Sequence, residues 1–380
     1  MKSLAIFTLS AFASAAALAL TSTPVISITG QLEQSTSVAS GAQVHNTAQA
    51  NATAMQNVSS NKGYVSIGGS RLEQSTWVND SAQINNEAKQ SGDIAVQNVS
   101  SNYGTKDDDV KFTSSSGSSY QRTTLSGNAR LNNEADGAGS SSGCGNNDCL
   151  DGAQAVQNVS SNAGKVVIKA SLKQTSSIDG GSVSNTAKGI DALAQQNLAS
   201  NSSDVTVGGA LTQTVSLKNT TVKNTANTTT TAVQNLASNA KDVDISSTVN
   251  QTVGMEGGNV TNAATGNRKT VAVQNLASNY DGVTVTNSLT QEVWGGGTVR
   301  NKADGANAVA FQNLASNLGK VSVGGVTTQV VWANGSVVNT AKANAVAMQN
   351  LSSNDACEPP KLSALPDCPT GGCGWTVSRR

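Results

Sequence analysis

Carboxylates come first in a search for chemistry, and the acids that invite it are Glu87, Glu134, Asp191, Asp244 and Glu292. Breaking a polysaccharide needs two carboxylates across a groove, or carboxylates with Ca²⁺ and a Lys or Arg base. Read along the chain, these acids fall at different places in a repeat, with no basic partner in any one unit. His45 is the only histidine, and neither a Gly-x-Ser-x-Gly elbow nor a phosphate loop occurs. No catalytic residue and no cofactor is therefore expected. The run Lys106-Asp107-Asp108-Asp109 lacks the Gly and Glu that an EF-hand loop places after its acids, so it reads as a solvated loop. Five cysteines, Cys144, Cys149, Cys357, Cys368 and Cys373, match no zinc spacing, and no metal site is expected. They suit an oxidising compartment instead: Cys144 and Cys149 are expected to close a small loop, Cys368 and Cys373 are further disulfide candidates, and one of the five must stay unpaired within the chain.

The amides carry more information than the acids. A Gln-Asn pair recurs eight times, with glutamines at Gln56, Gln97, Gln157, Gln196, Gln234, Gln274, Gln312 and Gln349. Their asparagines are Asn57, Asn98, Asn158, Asn197, Asn235, Asn275, Asn313 and Asn350, and an alanine stands two residues before every glutamine. From Gln157 onward the period is 37 to 40 residues. Such a period marks stacked repeat units. Each unit also holds a β-type run, such as Val283-Thr284-Val285 leading to Gln291, and a Val-x-Asn-x-Ala segment. That segment recurs at Asn46, Asn86, Asn133, Asn185, Asn224, Asn262, Asn301 and Asn339. From Gln157 onward the Gln of each Gln-Asn pair lies 17 residues before the Gln of the next β-run. A linker would drift in length, so both glutamines must hold fixed places on a coil. Between Gln97 and Gln157 the spacing rises to 60, through insertions near 103–118 and 136–153. Extra residues are tolerated where they loop out at corners.

The elements that position these amides are strands. In the copy Ala272-Val273-Gln274-Asn275-Leu276-Ala277-Ser278-Asn279, taken as one strand, Ala272, Gln274, Leu276 and Ser278 point one way. Val271, Val273, Asn275, Ala277 and Asn279 point the other way, and both sets recur in every copy, so both faces are constrained. Identical amides stacked in register about 4.8 Å apart can bond from rung to rung beside the backbone ladder. The sixteen Gln and Asn residues of the eight pairs are thus structural ladder candidates. The expected fold is all-β, a β-solenoid or cross-β array of eight units of about 38–40 residues. Strand counts suggest two rungs of about 19 residues in each unit. Trp77, Trp294 and Trp332 each follow a β-run glutamine by three residues and would line one face, where they shield an edge or form a hydrophobic pocket or, less favoured, stack sugar rings.

Composition agrees with a polar ladder. Aromatics are 3% and charged residues 13%, and no proline occurs between Pro24 and Pro359, as a strand ladder requires. Disorder is the rival reading of a chain this polar, but zero net charge and the absence of proline argue against it. Balanced charge also leaves no electrostatic footprint for nucleic acid. Residues 1–22 read as a signal peptide, with Lys2 before an apolar run from Leu4 to Leu20. The β-repeat array spans 23–354, and 355–380 form a Pro/Cys-rich tail that reads equally as a cap or a recognition segment. This signal and these Gln-, Asn-, Ala- and Gly-rich repeats resemble bacterial functional amyloids of the curli and Fap types. The character is also similar to that of holdfast-attachment proteins of stalked bacteria. The resemblance implies an exported protein at the cell surface or outer membrane that forms or anchors adhesive fibres. Implied partners are itself or other fibre subunits, an outer-membrane secretion pore and polysaccharide. The alternatives are a monomeric β-helical sugar-binding adhesin and, less favoured, a polysaccharide-degrading β-helix enzyme.

Overall fold

The computed structural model describes residues 25–89, 93–104, 109–137, 153–189, 192–228, 230–266 and 270–356. The leader over 1–22, all five cysteines, Asp191 and the run Lys106 to Asp108 lie outside the described residues.

One coil suffices to describe the whole. The seventh runs through a short strand, Val283–Val285, then Leu289–Asp304, which bends at Gly295-Gly296-Gly297 into two limbs, then Val309–Leu314 and the two-residue strand Asn317–Leu318. The next coil repeats this path directly above, all in parallel register: Val283 pairs with Val321, Gln291 with Gln329, Asn301 with Asn339, Gln312 with Gln349 and Asn317 with Asn354. Three of the resulting sheets hold eight strands each, one from every repeat, and the fourth is the bent sheet built from the two limbs. The described residues form a β-solenoid of eight coils with no helix. Each repeat is therefore one coil. The expected division into two rungs of about 19 residues fails because the four strand segments of a unit face one another across the core and pair only with the neighbouring units.

The core is stacked in columns. Val243, Ile245, Val249, Val283, Val285 and Leu289 fill the space between the first strand and the first limb. Val253, Met255, Val260, Leu276 and Ala277 fill the centre. Opposite alanines, such as Ala264 with Ala272 and Ala303 with Ala310, close the far side, where the second limb and third strand approach each other. The insertions leave this order intact. Gln157 still bonds Gln97 across 60 residues of chain, and the strand Val110–Phe112 pairs in register on both sides. Surplus residues fall between strands, at corners.

One corner departs from the single-strand reading of the octapeptide. The third strand ends at Leu276, and Ala277 takes φ 46, in the left-handed region. Ser59, Ser100, Ser160, Ala199, Ala237, Ala315 and Ser352 do the same in the other coils, with φ between 45 and 50. A non-glycine residue there costs on the order of 1–3 kcal/mol, which the surrounding packing must offset. The kink resets the alternation. Ala277 joins Leu276 in the central core, instead of lying on the opposite face, and Tyr280 folds back beside Val273 on the outer side of the third strand.

The Gly295-Gly296-Gly297 corner supplies a test. Gly295 has φ +117, and a β-carbon there would run into the Met255 carbonyl oxygen, whereas at Gly296 the nearest atoms lie 4.0 Å away. Gly295→Ala is expected to lower stability by about 1–3 kcal/mol, and Gly296→Ala to change it by less than about 0.5 kcal/mol. Urea midpoints of the two variants check this; equal shifts would contradict the corner geometry.

Candidate functional site

Stacking places each amide of the Gln-Asn pairs against its counterpart. In the third strand, each glutamine Nε2 donates to the Oε1 of the preceding coil, from Gln97 on Gln56 (2.9 Å) to Gln349 on Gln312 (2.6 Å). The rungs between them measure 2.8 or 2.9 Å. The adjacent asparagines form their own ladder in the same direction, from Asn98 on Asn57 (2.8 Å) to Asn350 on Asn313 (3.0 Å), through Asn158, Asn197, Asn235 and Asn275. Glutamine faces the core. Asparagine faces outward, yet Asn275 is fully buried because the fourth strand folds over it; at the last coil Asn350 donates to Asp355 of that strand (3.3 Å).

Three further ladders run through the core, and the octapeptide contains a member of only one of them, its closing Asn279. Glutamines of the first limb link from Gln34 to Gln329, each donating to the preceding coil. Asparagines of the second limb link from Asn46 to Asn339, but these donate to the following coil. Asparagines of the fourth strand, Asn61 to Asn354, also donate forward. The ladders are tied to each other across the core: Asn262 Nδ2 reaches the carbonyls of Ala232 and Val273 (both 3.0 Å), and Gln274 Nε2 reaches that of Arg300 (3.3 Å). A serine column completes the corner. Ser278 Oγ accepts the N–H of Ser316 (3.2 Å) and points its own proton at the carbonyls of Leu276 (2.8 Å) and Asn313 (3.0 Å). The signal for these extra ladders was present in the Val-x-Asn-x-Ala segment and in the 17-residue glutamine interval. It marks fixed places on a coil without saying that the side chains point inward.

The tryptophans are only partly brought together. Trp77, Trp294 and Trp332 share one outward column, which reads Ser37, Trp77, Thr124, Ser177, Ser216, Gly254, Trp294, Trp332 from the first coil to the last. Four small residues separate Trp77 from Trp294, so a continuous three-ring stripe is not formed. A spacing shared along the chain puts residues in one column but does not make them neighbours. Trp294 and Trp332 do adjoin, 48% and 69% exposed. The Trp294 ring lies over Gly254, where a β-carbon would come within 2.7 Å of it. Together with Gly296, Ala333 and Gly335 the two rings frame a shallow depression.

The acids also need correction. Glu87 and Glu134 occupy the same repeat position in adjacent coils and both meet lysines: Lys89 lies 2.8 Å from Glu87 within one unit, and Lys188 pairs with Glu134 and, at 3.6 Å, with Asp136. The hydrogen bonds that Lys89 and Lys188 donate to Glu87 and Glu134 hold their ammonium groups above the ordinary lysine range. Asp109 is not solvated; it is buried against Lys111 (2.7 Å) and Lys165 (3.7 Å). Asp244 and Glu292 lie on separate sheets of the outer surface. His45 sits on the first coil, 2.8 Å from Gln43 Oε1 and 3.3 Å from Asn85 Nδ2. Among the described residues no three His, Cys, Asp or Glu side chains gather to hold a metal ion. Burial pushes the Tyr280 phenol far upward, with the charge of Asp281 adding to it.

Compared with known protein families, curated proteins and solved structures, the chain returns no match.

Breaking a ladder should cost more than trimming a surface amide. Asn235→Ala with Asn275→Ala strands the buried Asn197 carbonyl and Asn313 amide, an expected loss of about 2–5 kcal/mol from two unsatisfied groups. Asn250→Ala, on an exposed site, should change stability by less than about 0.5 kcal/mol. Denaturation midpoints of the two proteins decide it, and an unchanged midpoint in the double variant would refute the ladder's contribution.

Proposed function

We propose that the chain is an exported structural protein that forms or anchors cell-surface fibres and mediates attachment of cells, or of a polysaccharide holdfast, to the envelope. The observation that carries this reading is the unbroken run of five buried amide ladders through all eight coils. Side-chain investment of this kind stiffens a rod whose cross-section repeats every coil, roughly 35 Å long for eight coils at strand spacing. The apolar run from Leu4 to Leu20 supplies the route out of the cell. Under this reading the partners are copies of itself or other fibre subunits, a secretion pore in the outer membrane, and polysaccharide. Outer columns vary freely from coil to coil while the five amide columns do not, as expected where the product of selection is the stack itself.

A second reading, a sugar-binding adhesin, is favoured by the exposed pair Trp294 and Trp332. Two adjacent aromatic faces suit the apolar faces of sugar rings, and each stacked ring contributes on the order of 1 kcal/mol.

Both readings are open to direct measurement. Surface labelling and protease treatment of intact producing cells should reach the chain, and cells lacking it should lose attachment. A chain confined to the cytoplasm, or attachment unaffected by its loss, would overturn the surface reading. Trp294→Ala with Trp332→Ala should weaken polysaccharide retention about tenfold if the ring pair binds sugar, from the loss of two stacking contacts. Unchanged retention would eliminate the adhesin reading.

A further inference from the structure

The two ends of the stack are complementary. At the first coil Gln34, Gln56 and Asn57 accept from the coil above and turn amide N–H groups to the open end, while Asn46 and Asn61 turn carbonyls to it. At the last coil the same columns show the opposite groups: carbonyls at Gln329, Gln349 and Asn350, amide nitrogens at Asn339 and Asn354. The geometry points to head-to-tail stacking of this chain, the last coil of one copy seated under the first coil of a second.

Three observations on the last coil say that a further coil belongs there. Ser353 Oγ is buried and has no hydrogen-bond partner among the described residues, whereas the equivalent Ser316 Oγ accepts the N–H of Ser353. A second copy would supply the N–H of its Ser60, the first member of that column. Leu351 is 45% exposed, although Leu236, Leu276 and Leu314 in the same column are fully buried. Val326 and Val346 are 71% and 54% exposed on the same coil, matched at the other end by Val25 and Ile26, each 57% exposed. Among the described residues, the apolar side chains exposed and the strand edges left without a neighbouring coil at both ends form a surface that invites pairing.

Occupants other than a second copy fit less well. The stretch from Cys357 to Pro369 carries four prolines, whose missing N–H groups make its sequence a poor match for a further coil. Two last coils meeting face to face would be related by a two-fold axis that reverses the section and the strand direction, so neither the parallel pairing nor the amide columns could continue across the joint. Head-to-tail contact instead satisfies all five ladders and seats like residues on like: Met348 under Met55 and Ala347 under Ala54. It also sets Asp355 under Lys62, because the fourth-strand column begins at Lys62 and ends at Asp355. A heterologous contact that repeats without closing makes a filament. This builds on the fibre reading above, and the two can fail separately.

The Lys62–Asp355 contact gives the test. Inner members of that column, such as Ala163 and Leu318, are fully buried, so like charges meeting there would be desolvated. The purified full chain is expected to form rods by electron microscopy, above a critical concentration read by sedimentation. Lys62→Asp alone and Asp355→Lys alone should each raise that concentration about tenfold or more, from like-charge contact at the joint; the monomer melting temperature should hold in Lys62→Asp, whereas Asp355→Lys also loses the hydrogen bond from Asn350. Mixing the two variants should restore rods, since every joint in an alternating copolymer again pairs Lys with Asp; the double variant should assemble by itself. A wild-type chain that stays monomeric overturns the inference, as would occur if its own tail covers the last coil. So do single variants that assemble normally, or a mixture that does not recover. Rods formed by a chain that cells do not display would leave the stacking intact and remove the surface role.

Discussion

A buried primary amide has two N–H donors and a carbonyl with two lone pairs, and each one left unmet costs about 1–3 kcal/mol. In this protein the requirement is met by repetition: the same amide one coil away supplies the missing donor or acceptor, at 2.6 to 3.1 Å. Everything else about the stack follows from keeping identical amides one strand spacing apart. Coils must be parallel and in register, since a one-residue slip would move a glutamine onto the opposite face. Proline must be excluded from the coils, because one missing N–H interrupts the backbone bonds that set the spacing. Length changes must fall at corners, as the long interval between Gln97 and Gln157 illustrates.

The direction of the ladders adds a second layer. Three donate backward along the chain and two forward, so their aligned dipoles partly cancel across the section instead of summing along the rod. Outside the core the constraint relaxes. The column at Glu87 reads Thr47, Glu87, Glu134, Thr186, Thr225, Ala263, Lys302, Thr340, with charge met locally by Lys89 and Lys188. Exposed pairs of this kind contribute roughly 0–1 kcal/mol, so they tune the surface and do not hold the coils together. Inner columns are the reverse: Gln stays Gln through every coil of the third strand.

Apolar packing is thin by comparison with an ordinary globular core. Ala264 faces Ala272 and Ala303 faces Ala310, where larger side chains would hold the second limb and third strand too far apart for Asn262 to reach the carbonyls of Ala232 and Val273. Small residues thus bring the backbone within reach of the amides. Larger ones lie elsewhere: Ile245 and Leu289 between the first strand and the first limb, and Leu276 and Met255 at the central corner beside the left-handed turn at Ala277. The recurring strain at that turn is supportable because each kink is held by the serine hydroxyls of the adjoining coils.

The repeat itself, its period, the exclusion of proline and the alternation of β-branched with polar residues were all legible along the chain, and they determined an all-β solenoid of eight units. They are local or periodic properties, and a fixed period implies one structure repeated. Pairing of Gln with Gln and Asn with Asn followed from the same periodicity, since stacked units bring equal positions together. Tertiary structure alone decided the rest, because it depends on which segments face each other across the core. That one unit makes one coil, and not two rungs, rests on four strand segments closing around a shared interior. That Asn275 is buried although it points outward rests on the kink at Ala277, a backbone dihedral that no residue type required there. Trp77 stands apart from Trp294, and Glu87 meets Glu134, because register counts coils and not residues. The complementarity of the two ends became visible only once every amide had a direction, and direction is a property of the assembled ladder.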